Sequence, residues 1–355
     1  MRKHYLDNIR WITVVLVALY HVIYIFNSVI PDVGMPFNEI QYLDAGMYIL
    51  YPWFMILLFI VSGVSARYYL ENHSVQEFKK ERTRKLLVPS TIGILVAGWI
   101  QGYINMSVGG AFEHMPDTMP APVLFLIMAL SGTGVLWFVQ MLWLFSMLLI
   151  FLRRFEKGKV YELTQKTNVL VLIVLVIPLW ISGQILNTPV VVVYRFGIYT
   201  FAYLLGYFVF AHEEVIDRIS KWKYAFIIGA VVLGISYTVV YFGENYAEMP
   251  LVGSPLAVAF SWATILAIFG SAKAWANKKN SFAEYMTKKS WGIYVFHYLA
   301  LSAVAYALRN YTNMPALPCY LLTTIAAFAG SILLYEVVSR IPFLRWCILG
   351  MKKEK

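Results

Sequence analysis

Long apolar stretches alternate with short polar segments along the whole chain. A helix that spans a lipid bilayer needs about 20 consecutive, mostly apolar residues. The apolar stretch at 120–132 is shorter and is predicted to be an interfacial or re-entrant segment. The pattern therefore predicts an all-α, polytopic membrane protein with about ten transmembrane helices. The predicted transmembrane helices are residues 8–30, 45–68, 87–106, 134–152, 168–186, 196–212, 224–243, 254–274, 290–308 and 318–340.

The positions of lysine and arginine orient these predicted helices. If the N-terminus lies in the cytoplasm, all but two of the 29 basic residues fall on cytoplasmic segments, and the exceptions are Arg195 and Arg309. Cytoplasmic loops of membrane proteins are enriched in Lys and Arg. We therefore expect both termini in the cytoplasm, one domain over residues 1–350 and a basic cytoplasmic tail at residues 351–355. The protein is expected to be a multi-pass protein of the cell membrane, that is, the plasma or inner membrane.

The composition indicates that most of the protein surface contacts a lipid bilayer. Hydrophobic residues make up 60% of the chain and charged residues 14%, and the mean hydropathy is +0.66. Soluble domains usually carry about 25% charged residues. The formal net charge of +10 arises from short clusters between apolar stretches, so nucleic acid is not an expected partner. The six histidines show no metal-ligand spacing, and no metal is predicted.

Two polar residues interrupt the first apolar stretch, Arg10 near its start and His21 eleven residues later. Eleven residues of α-helix rotate to within about 20° of three full turns and rise roughly 16 Å, so both side chains share one face without touching. Asp7 precedes Arg10 by three residues and is expected to pair with it. Either Arg10 extends to lipid headgroups and His21 is a hydrogen-bonded core residue, or both serve a function that offsets the cost of burying them.

Further polar residues lie at the end of the second apolar stretch and just before the third. Ser62 and Gly63 interrupt an apolar run, where small residues typically let two helices approach closely. Arg82, Arg84 and Lys85 belong to a dense cationic patch that we expect at the cytoplasmic mouth. Each of these cations taken singly is typical of a topology anchor. Together they could bind a polyanion such as a phosphorylated cofactor.

The ninth predicted helix carries a polar stripe. Ser290, Tyr294 and Tyr298 follow one another at intervals of four residues, and His297 lies on nearly the same face. An aromatic-rich helix with one histidine commonly faces the core or the lipid, whereas a Ser-Tyr-His stripe that faces a bundle interior can line a cavity. Glu336 in the last predicted helix has an arginine four residues further on, with which it can pair. These patterns predict a polar interior but no particular reaction.

Taken in order, these motifs resemble those of the acyltransferase-3 family of integral-membrane O-acyltransferases, over nearly the whole chain. Each motif is weak alone, and six in order are specific. Within the family, the chain is similar to the branch that contains glucan succinyltransferases and exopolysaccharide acyltransferases. The six motifs are LDNIR followed by a histidine (Arg10, His21), F-x-x-SG (Phe59, Ser62, Gly63), the basic stretch before LLxP (Arg82 to Pro89), LWF (Leu136, Trp137, Phe138), S-x-G-I-Y-x-x-H (Ser290 to His297) and E-x-x-x-R-x-P (Glu336 to Pro342).

The resemblance implies transfer of an acetyl or succinyl group from cytoplasmic acyl-CoA (acetyl-CoA or succinyl-CoA) to a hydroxyl of a cell-surface glycan or small hydroxylated acceptor. It implies His21 as the general base, a role that suits an imidazole titrating near neutral pH. Lys85 stands where the family has an arginine, which keeps the charge but not the bidentate grip on phosphate. The residues implied for binding acyl-CoA are Arg10, Ser62, Arg82, Arg84 and Lys85. Those implied for the substrate cavity are Trp137, Ser290, Tyr294, His297 and Glu336.

Several alternatives stay open at the level of the sequence. The oxyanion of the intermediate could be stabilised by Ser62, Tyr294 or His297, and a covalent acyl-histidine intermediate has no separate signature. A ten-helix secondary transporter or exporter without acyl chemistry also suits a polar interior, although the chain lacks an inverted repeat and paired Gly/Pro-broken helices. A catalytically silent relative that serves as a membrane partner is the third interpretation.

Overall fold

The computed structural model describes residues 3–30, 33–38, 41–116, 118–188 and 191–352. Over these residues the regular secondary structure is helical and no β-strand is present, which confirms the predicted all-α class. Residues 353–355 of the predicted basic tail lie outside the described residues. The α-helices are α1 (His4–Tyr24), α2 (Ala45–Asn72), α3 (Val75–Arg82), α4 (Trp99–Val108), α5 (Ala121–Ser131), α6 (Trp137–Glu156), α7 (Lys159–Thr164), α8 (Val169–Val174), α9 (Val176–Ser182), α10 (Phe196–Phe208), α11 (Glu213–Lys221), α12 (Lys223–Tyr241), α13 (Met249–Val252), α14 (Pro255–Trp275), α15 (Ser281–Tyr311), α16 (Ala316–Ile325), α17 (Ser331–Arg340) and α18 (Pro342–Leu349).

Among the described residues, eight helical segments are long and apolar enough to cross a membrane. They coincide with eight of the predicted transmembrane helices, and the chain is a multi-pass membrane protein. The other two predictions, 168–186 and 196–212, correspond to the shorter apolar helices Val169–Ser182 and Phe196–Phe208. The total of ten spans and the cytoplasmic location of the termini stay predictions. The eight segments are His4–Tyr24, Tyr42–Asn72, Val75–Val108, Gly134–Glu156, Lys223–Tyr241, Pro255–Trp275, Ser281–Tyr311 and Ala316–Arg340.

Two predicted helices end earlier than their hydrophobicity suggests, for different physical reasons. The first ends at Tyr24 because the amide of Asn27 donates to the Tyr24 carbonyl at 2.6 Å. The side-chain oxygen of Asn27 also accepts from two following N–H groups at 3.0 and 2.7 Å, which turns the chain away from the helix. The fifth is broken after Val174, since Pro178 lacks an N–H and its ring would clash with the carbonyl four residues earlier.

The third transmembrane segment continues past a proline because its helical turns are wider there. Thr83–Leu87 and Pro89–Gly98 are π-helical, and the N–H of Gly93 bonds the carbonyl of Val88, five residues earlier, at 3.0 Å. Pro89 has no N–H to donate, and a wider helical turn accommodates the missing bond. The cationic patch before Pro89 is therefore held on a helix that continues into the membrane segment.

The described residues divide into two compact units, and each is assembled from three stretches of chain. Helices such as α1 and α15 contribute residues to both. Unit A comprises Met1–Thr13, Met47–Lys79 and Leu144–Lys288, and unit B comprises Val14–Gly46, Lys80–Trp143 and Lys289–Lys355.

In unit A, α2 and α10 approach each other closely at two glycines. A Cβ on Gly63 would lie 2.0 Å from the Tyr203 carbonyl, and one on Gly206 would lie 2.0 Å from the Ile60 carbonyl. Real Cβ atoms do not tolerate such distances, so both positions require glycine. The close-packing interpretation of the Ser62-Gly63 pair is therefore confirmed for Gly63. In the same unit, α11 and α12 both pack against α14.

In unit B, the short apolar stretch predicted at 120–132 forms α5, which packs against α4 and the π-helical Pro89–Gly98. A separate core cluster holds the C-terminal end of α1 and the residues just after it against α15 and α16. Phe26 just after α1, Leu301 of α15 and Cys319 of α16 are fully buried members of this cluster. This packing fixes the position of α1 along the axis of α15 and so positions the polar residues that both helices carry.

Candidate functional site

His21 of α1 and His297 of α15 face each other within unit B. Nε2 of His297 lies 3.2 Å from Nδ1 of His21, and the two ring centroids are 5.0 Å apart. His297 is fully buried, and His21 is half-buried. The structure thus places the predicted general base beside a residue that was predicted only to line the cavity or to stabilise the oxyanion.

The neighbouring carbonyl groups fix which nitrogen of each imidazole carries hydrogen. Nδ1 of His21 lies 2.8 Å from the Val17 carbonyl, and Nδ1 of His297 lies 2.9 Å from the carbonyls of both Ile293 and Tyr294. A carbonyl oxygen only accepts, so each neutral ring carries its hydrogen on Nδ1. The lone pair on Nε2 of His297 then accepts from the Nδ1–H of His21. This leaves the lone pair on Nε2 of His21 to take up a proton.

Aromatic side chains surround the imidazole of His21. The ring centroids of Tyr20, Tyr24 and Tyr298 lie 5.0, 5.9 and 5.1 Å from the centroid of the His21 ring. Surroundings of low polarity strengthen a hydrogen bond such as the one between the two imidazoles. Tyr298, like His297, is a member of the predicted polar stripe that reaches His21.

Two of the three predicted oxyanion donors have their hydrogens engaged elsewhere. The Tyr294 hydroxyl donates to the Val135 carbonyl, and the N–H of His297 points at backbone carbonyls. Ser62, the third candidate, belongs to unit A. The structure therefore gives His297 the position of an acceptor for the N–H of His21 and not that of an oxyanion donor.

A buried polar chain in unit B was missed by the sequence interpretation. The amide nitrogen of Gln101 donates to Asn105 Oδ1 at 2.8 Å and to Ser302 Oγ at 3.1 Å, which joins α4 to α15. Asn105 in turn donates to the Ser131 carbonyl at 2.8 Å at the end of α5. Two amides four residues apart in an otherwise apolar stretch are the sequence signal that could have revealed this chain.

Arg10 lies in unit A, on the same continuous helix as His21. Its guanidinium lies 3.3 Å from the Asp7 carboxylate, which confirms the predicted pair, and donates to the Ser65 hydroxyl at 2.7 Å. The Arg10 side chain is 38% exposed, so a ligand can reach it. The hydroxyl beside Arg10 belongs to Ser65, which the sequence interpretation did not single out. Its position three residues after Ser62 was the available signal.

A cavity of about 990 Å³ surrounds Arg10 and Ser65, and we call it the Arg10 cavity. Its lining carries more carboxylates than cationic side chains, and the cations are Lys3 and Arg10. Such a lining repels a polyphosphate overall, although one guanidinium can still bind a single anionic or carbonyl group. The carboxylates that line the cavity are Asp7, Glu71, Glu162, Glu213 and Glu214.

Glu213 joins α11 to α1 and α14 at the edge of the Arg10 cavity. Its carboxylate pairs with Lys3 at 2.9 Å and with Lys273 at 2.5 Å, and it accepts from the Tyr5 hydroxyl at 3.2 Å. Burial raises the pKa of this carboxyl, but the two ammonium groups outweigh burial and hold the pKa below its ordinary value. No local sequence signal predicts the contacts of the Glu213 carboxylate, because its partners are at least 60 positions away in the chain.

The cationic patch of Arg82, Arg84 and Lys85 lies in unit B. Lys85 pairs with Glu81, one turn earlier. Nη1 of Arg84 is buried and has no hydrogen-bond partner within the part of the chain that the structure describes. A buried guanidinium nitrogen without an acceptor is costly, and a phosphate oxygen would satisfy it. The patch therefore offers a buried hydrogen-bond donor to an anionic oxygen.

The other residues predicted for the substrate cavity lie further along α15 and its neighbours. Glu336 forms its ion pair with Lys289 of α15, and Arg340, four residues on, adds a weaker favourable charge interaction. That ion pair lies about 12 Å along α15 from His297, and the buried Ser290 lies about 10 Å from it, by the helical rise. Trp137 is half-buried at the start of α6. The structure thus groups Tyr298 and His297, but not Ser290 or Glu336, around His21.

Comparison with protein-family models matches residues 3–336 to Acyl_transf_3, which is described as an acyltransferase domain. The matched range contains every residue predicted for the site. No curated protein and no solved structure matches the chain. The family match favours acyl transfer over the transporter alternative, and the branch within the family stays a prediction. The chain therefore belongs to the acyltransferase-3 family and is a multi-pass membrane acyltransferase.

Proposed function

We propose that the protein is an O-acyltransferase of the plasma or inner membrane. It transfers an acetyl or succinyl group from cytoplasmic acyl-CoA to a hydroxyl of a cell-surface glycan or a small hydroxylated acceptor. The observation that carries this proposal is the pair of imidazoles, because its hydrogen bonds leave Nε2 of His21 as a proton acceptor. An imidazole in this state is a suitable general base for a hydroxyl.

We propose a direct transfer as the reaction. The acceptor hydroxyl gives its proton to Nε2 of His21 while its oxygen attacks the carbonyl carbon of the thioester. A carbon–oxygen bond forms, and the carbon–sulfur bond then breaks. The sulfur leaves with the electron pair and takes the proton back from Nε2 of His21, which restores the neutral imidazole. No group other than donor, acceptor and protein is required.

His297 acts as a positioning residue in this scheme. When His21 carries the extra proton, its Nδ1–H becomes a stronger donor, and the lone pair on Nε2 of His297 lies 3.2 Å away to accept it. A hydrogen bond to a charged group stabilises it more than one between neutral groups. The carbonyl of Val17 shares the same hydrogen and keeps the ring oriented. In this scheme His297 keeps the ring of His21 oriented while the ring carries the extra proton.

The donor's phosphates are proposed to bind the cationic patch, with Arg84 as the principal contact. Its buried nitrogen needs an acceptor, whereas carboxylates outnumber cations around the Arg10 cavity. Arg82 and Lys85 add positive charge, although Lys85 is partly neutralised by Glu81. A role of Arg10, in unit A, in binding the donor stays a prediction from the resemblance.

The proposed function is tested with membranes that contain or lack the protein. Incubation with acetyl-CoA or succinyl-CoA is followed by measurement of the free thiol of CoA and by mass spectrometry of surface glycans and lipids. We expect thiol release that depends on the protein, and an acceptor that gains the mass of one acetyl or succinyl ester. Transport of a glycan without any requirement for acyl-CoA, or no thiol release with any donor or acceptor fraction, would refute the proposal.

A further inference from the structure

Two tyrosines beside the imidazole of His21 carry hydroxyls that the proposed reaction does not yet use. Tyr24 lies one turn after His21 at the end of α1, and Tyr298 directly follows His297 on α15. Their ring centroids lie 5.9 and 5.1 Å from that of His21 and 6.5 Å from each other. The three rings are therefore mutual neighbours within unit B. We call Tyr24 and Tyr298 the tyrosine pair.

The hydroxyls of the tyrosine pair are available to a substrate. Both tyrosines are half-buried, as is His21. Within the part of the chain that the structure describes, neither hydroxyl has a hydrogen-bond partner, and neither is among the enclosed polar atoms that lack one. The nearby Tyr294 hydroxyl differs, because it donates to the Val135 carbonyl. A phenol O–H without a protein acceptor can donate to a substrate oxygen.

The proposed transfer requires such a donor. Attack on a thioester places negative charge on the carbonyl oxygen, and a hydrogen-bond donor at that position lowers the barrier. Of the three donors predicted from the sequence, Tyr294 and His297 direct their hydrogens at backbone carbonyls. Ser62 belongs to the other compact unit. The oxyanion therefore still lacks a donor near His21.

We propose that the two hydroxyls of the tyrosine pair form the oxyanion hole of the acyl transfer. This inference rests on the proposed function and adds two catalytic residues to it. The acceptor oxygen must lie about 2.6–3.2 Å from Nε2 of His21 to give up its proton. In the intermediate, the oxyanion is only two bonds from that oxygen, so it lies close to the three neighbouring rings.

The tyrosine pair donates hydrogen bonds and transfers no proton. While the acceptor oxygen attacks, the carbonyl double bond becomes a single bond, and the hydroxyls of Tyr24 and Tyr298 donate to the charged oxygen. The hydrogen bonds weaken again when the carbonyl re-forms and the carbon–sulfur bond breaks. His21 alone moves the proton, from the acceptor oxygen to the departing sulfur. A donor to a charged oxygen acts mainly in the transition state, because the ground-state carbonyl is neutral.

A contact to the acceptor is the competing use of the tyrosine pair, and kinetics separate the two. Two half-buried aromatic rings beside the base could also pack against the ring of a sugar. Such a contact exists before and during the reaction, so its loss raises the KM for the acceptor. Loss of an oxyanion donor lowers kcat and leaves KM nearly unchanged.

The inference is tested with Tyr24→Phe and Tyr298→Phe, which remove one oxygen atom each and keep the ring against His21. Thiol release from acetyl-CoA is measured in vesicles with the surface-glycan fraction as acceptor, and the melting temperature checks folding. We expect kcat to fall about 10²-fold in each variant, with both KM values and the shape of the pH profile retained. The matched control is Tyr311→Phe on the same helix as Tyr298, where the side chain is 78% exposed, and it should keep the full rate.

Hydrolysis of acetyl-CoA without any acceptor is the second measurement. Water then attacks the thioester, and the same oxyanion forms, so hydrolysis should fall by a similar factor in both variants. An unchanged kcat in either variant that folds normally, a change confined to the KM for the acceptor, or hydrolysis at the wild-type rate would overturn the inference and leave the proposed function standing. No thiol release by the wild-type protein with any donor would overturn the proposed function, and the inference with it.

Discussion

The contact between the two imidazoles predicts a specific effect of removing His297. In the His297→Ala variant, the Nδ1–H of His21 loses its acceptor on Nε2 of His297 but keeps the Val17 carbonyl at 2.8 Å. The ring of His21 therefore keeps its tautomer, and Nε2 stays able to accept a proton. The base is retained, but its protonated form is less well stabilised in the transition state.

The magnitude follows from the kind of hydrogen bond that is lost. A hydrogen bond to a charged group contributes about 1.5–3 kcal/mol and one between neutral groups about 0.5–1.5 kcal/mol, so the variant loses about 1–1.5 kcal/mol more in the transition state than in the ground state. Since about 1.36 kcal/mol corresponds to a factor of ten in rate, we expect kcat of His297→Ala to fall roughly 5- to 13-fold. The KM for acetyl-CoA should change little, because His297 is fully buried and contacts His21 and backbone carbonyls.

The assay is steady-state thiol release by the purified protein in vesicles, with the melting temperature as a check that each variant folds. His297→Gln is the matched variant, because its side-chain oxygen can accept from His21 while the volume is nearly kept. Its kcat should recover most of the loss. An unchanged kcat in His297→Ala, or a loss that appears only in KM, would refute the role assigned to His297. So would an equal loss in both variants when both fold normally.

Other parts of the molecule make equally specific predictions. Arg84→Ala should raise the KM for acetyl-CoA about tenfold with little change in kcat, and the effect should shrink at high salt, because a contact to phosphate is lost. Gly63→Ala should lower the free energy of unfolding by at least about 1–3 kcal/mol in thermal unfolding, since its Cβ would lie 2.0 Å from the Tyr203 carbonyl. Glu213→Gln should remove part of the acid sensitivity of unfolding. The depressed pKa of this carboxyl stabilises the fold above the ordinary value of 4.5, and that stabilisation is lost as the pH falls through the lower pKa of the folded protein.

Each of these predictions has a control within the chain. Lys80→Ala removes an exposed cation two residues before the patch, and an equal rise in KM there would mean that only general positive charge matters. Gly229→Ala adds a methyl group that meets nothing within 4 Å, so an equal loss of stability would contradict the close-packing account. For Glu213→Gln, an acid-unfolding curve identical to that of the wild type would exclude the ion-pair effect.

Local periodicity predicted those parts of the molecule that depend on near neighbours. The pair of Asp7 and Arg10 at three residues' spacing is present, and eight apolar stretches form helices of spanning length. The early end of α1 was not foreseen, because it depends on which groups the side chain of Asn27 binds. The break at Pro178 was foreseeable, since proline disrupts the carbonyl contact four residues earlier.

Contacts between residues of different helices at the site could not be predicted from the spacing of residues along one helix. His21 and His297 were both candidates, but their contact spans 276 positions, and no local pattern reports such a distance. The same holds for the contact between Ser65 and Arg10, which the sequence interpretation did not predict. Tertiary packing decides these pairs, because several serines and histidines satisfy the same periodicity.

The measurement that tests the central claim most directly is the rate of acyl transfer by His21→Ala in vesicles at saturating acetyl-CoA. Loss of a general base should lower kcat by about 10²–10⁴-fold while binding of acetyl-CoA, measured separately, stays the same. His73→Ala, which removes an exposed histidine of unit A, should retain the full rate. A His21→Ala protein that folds normally and transfers the acyl group at the wild-type rate would contradict the account.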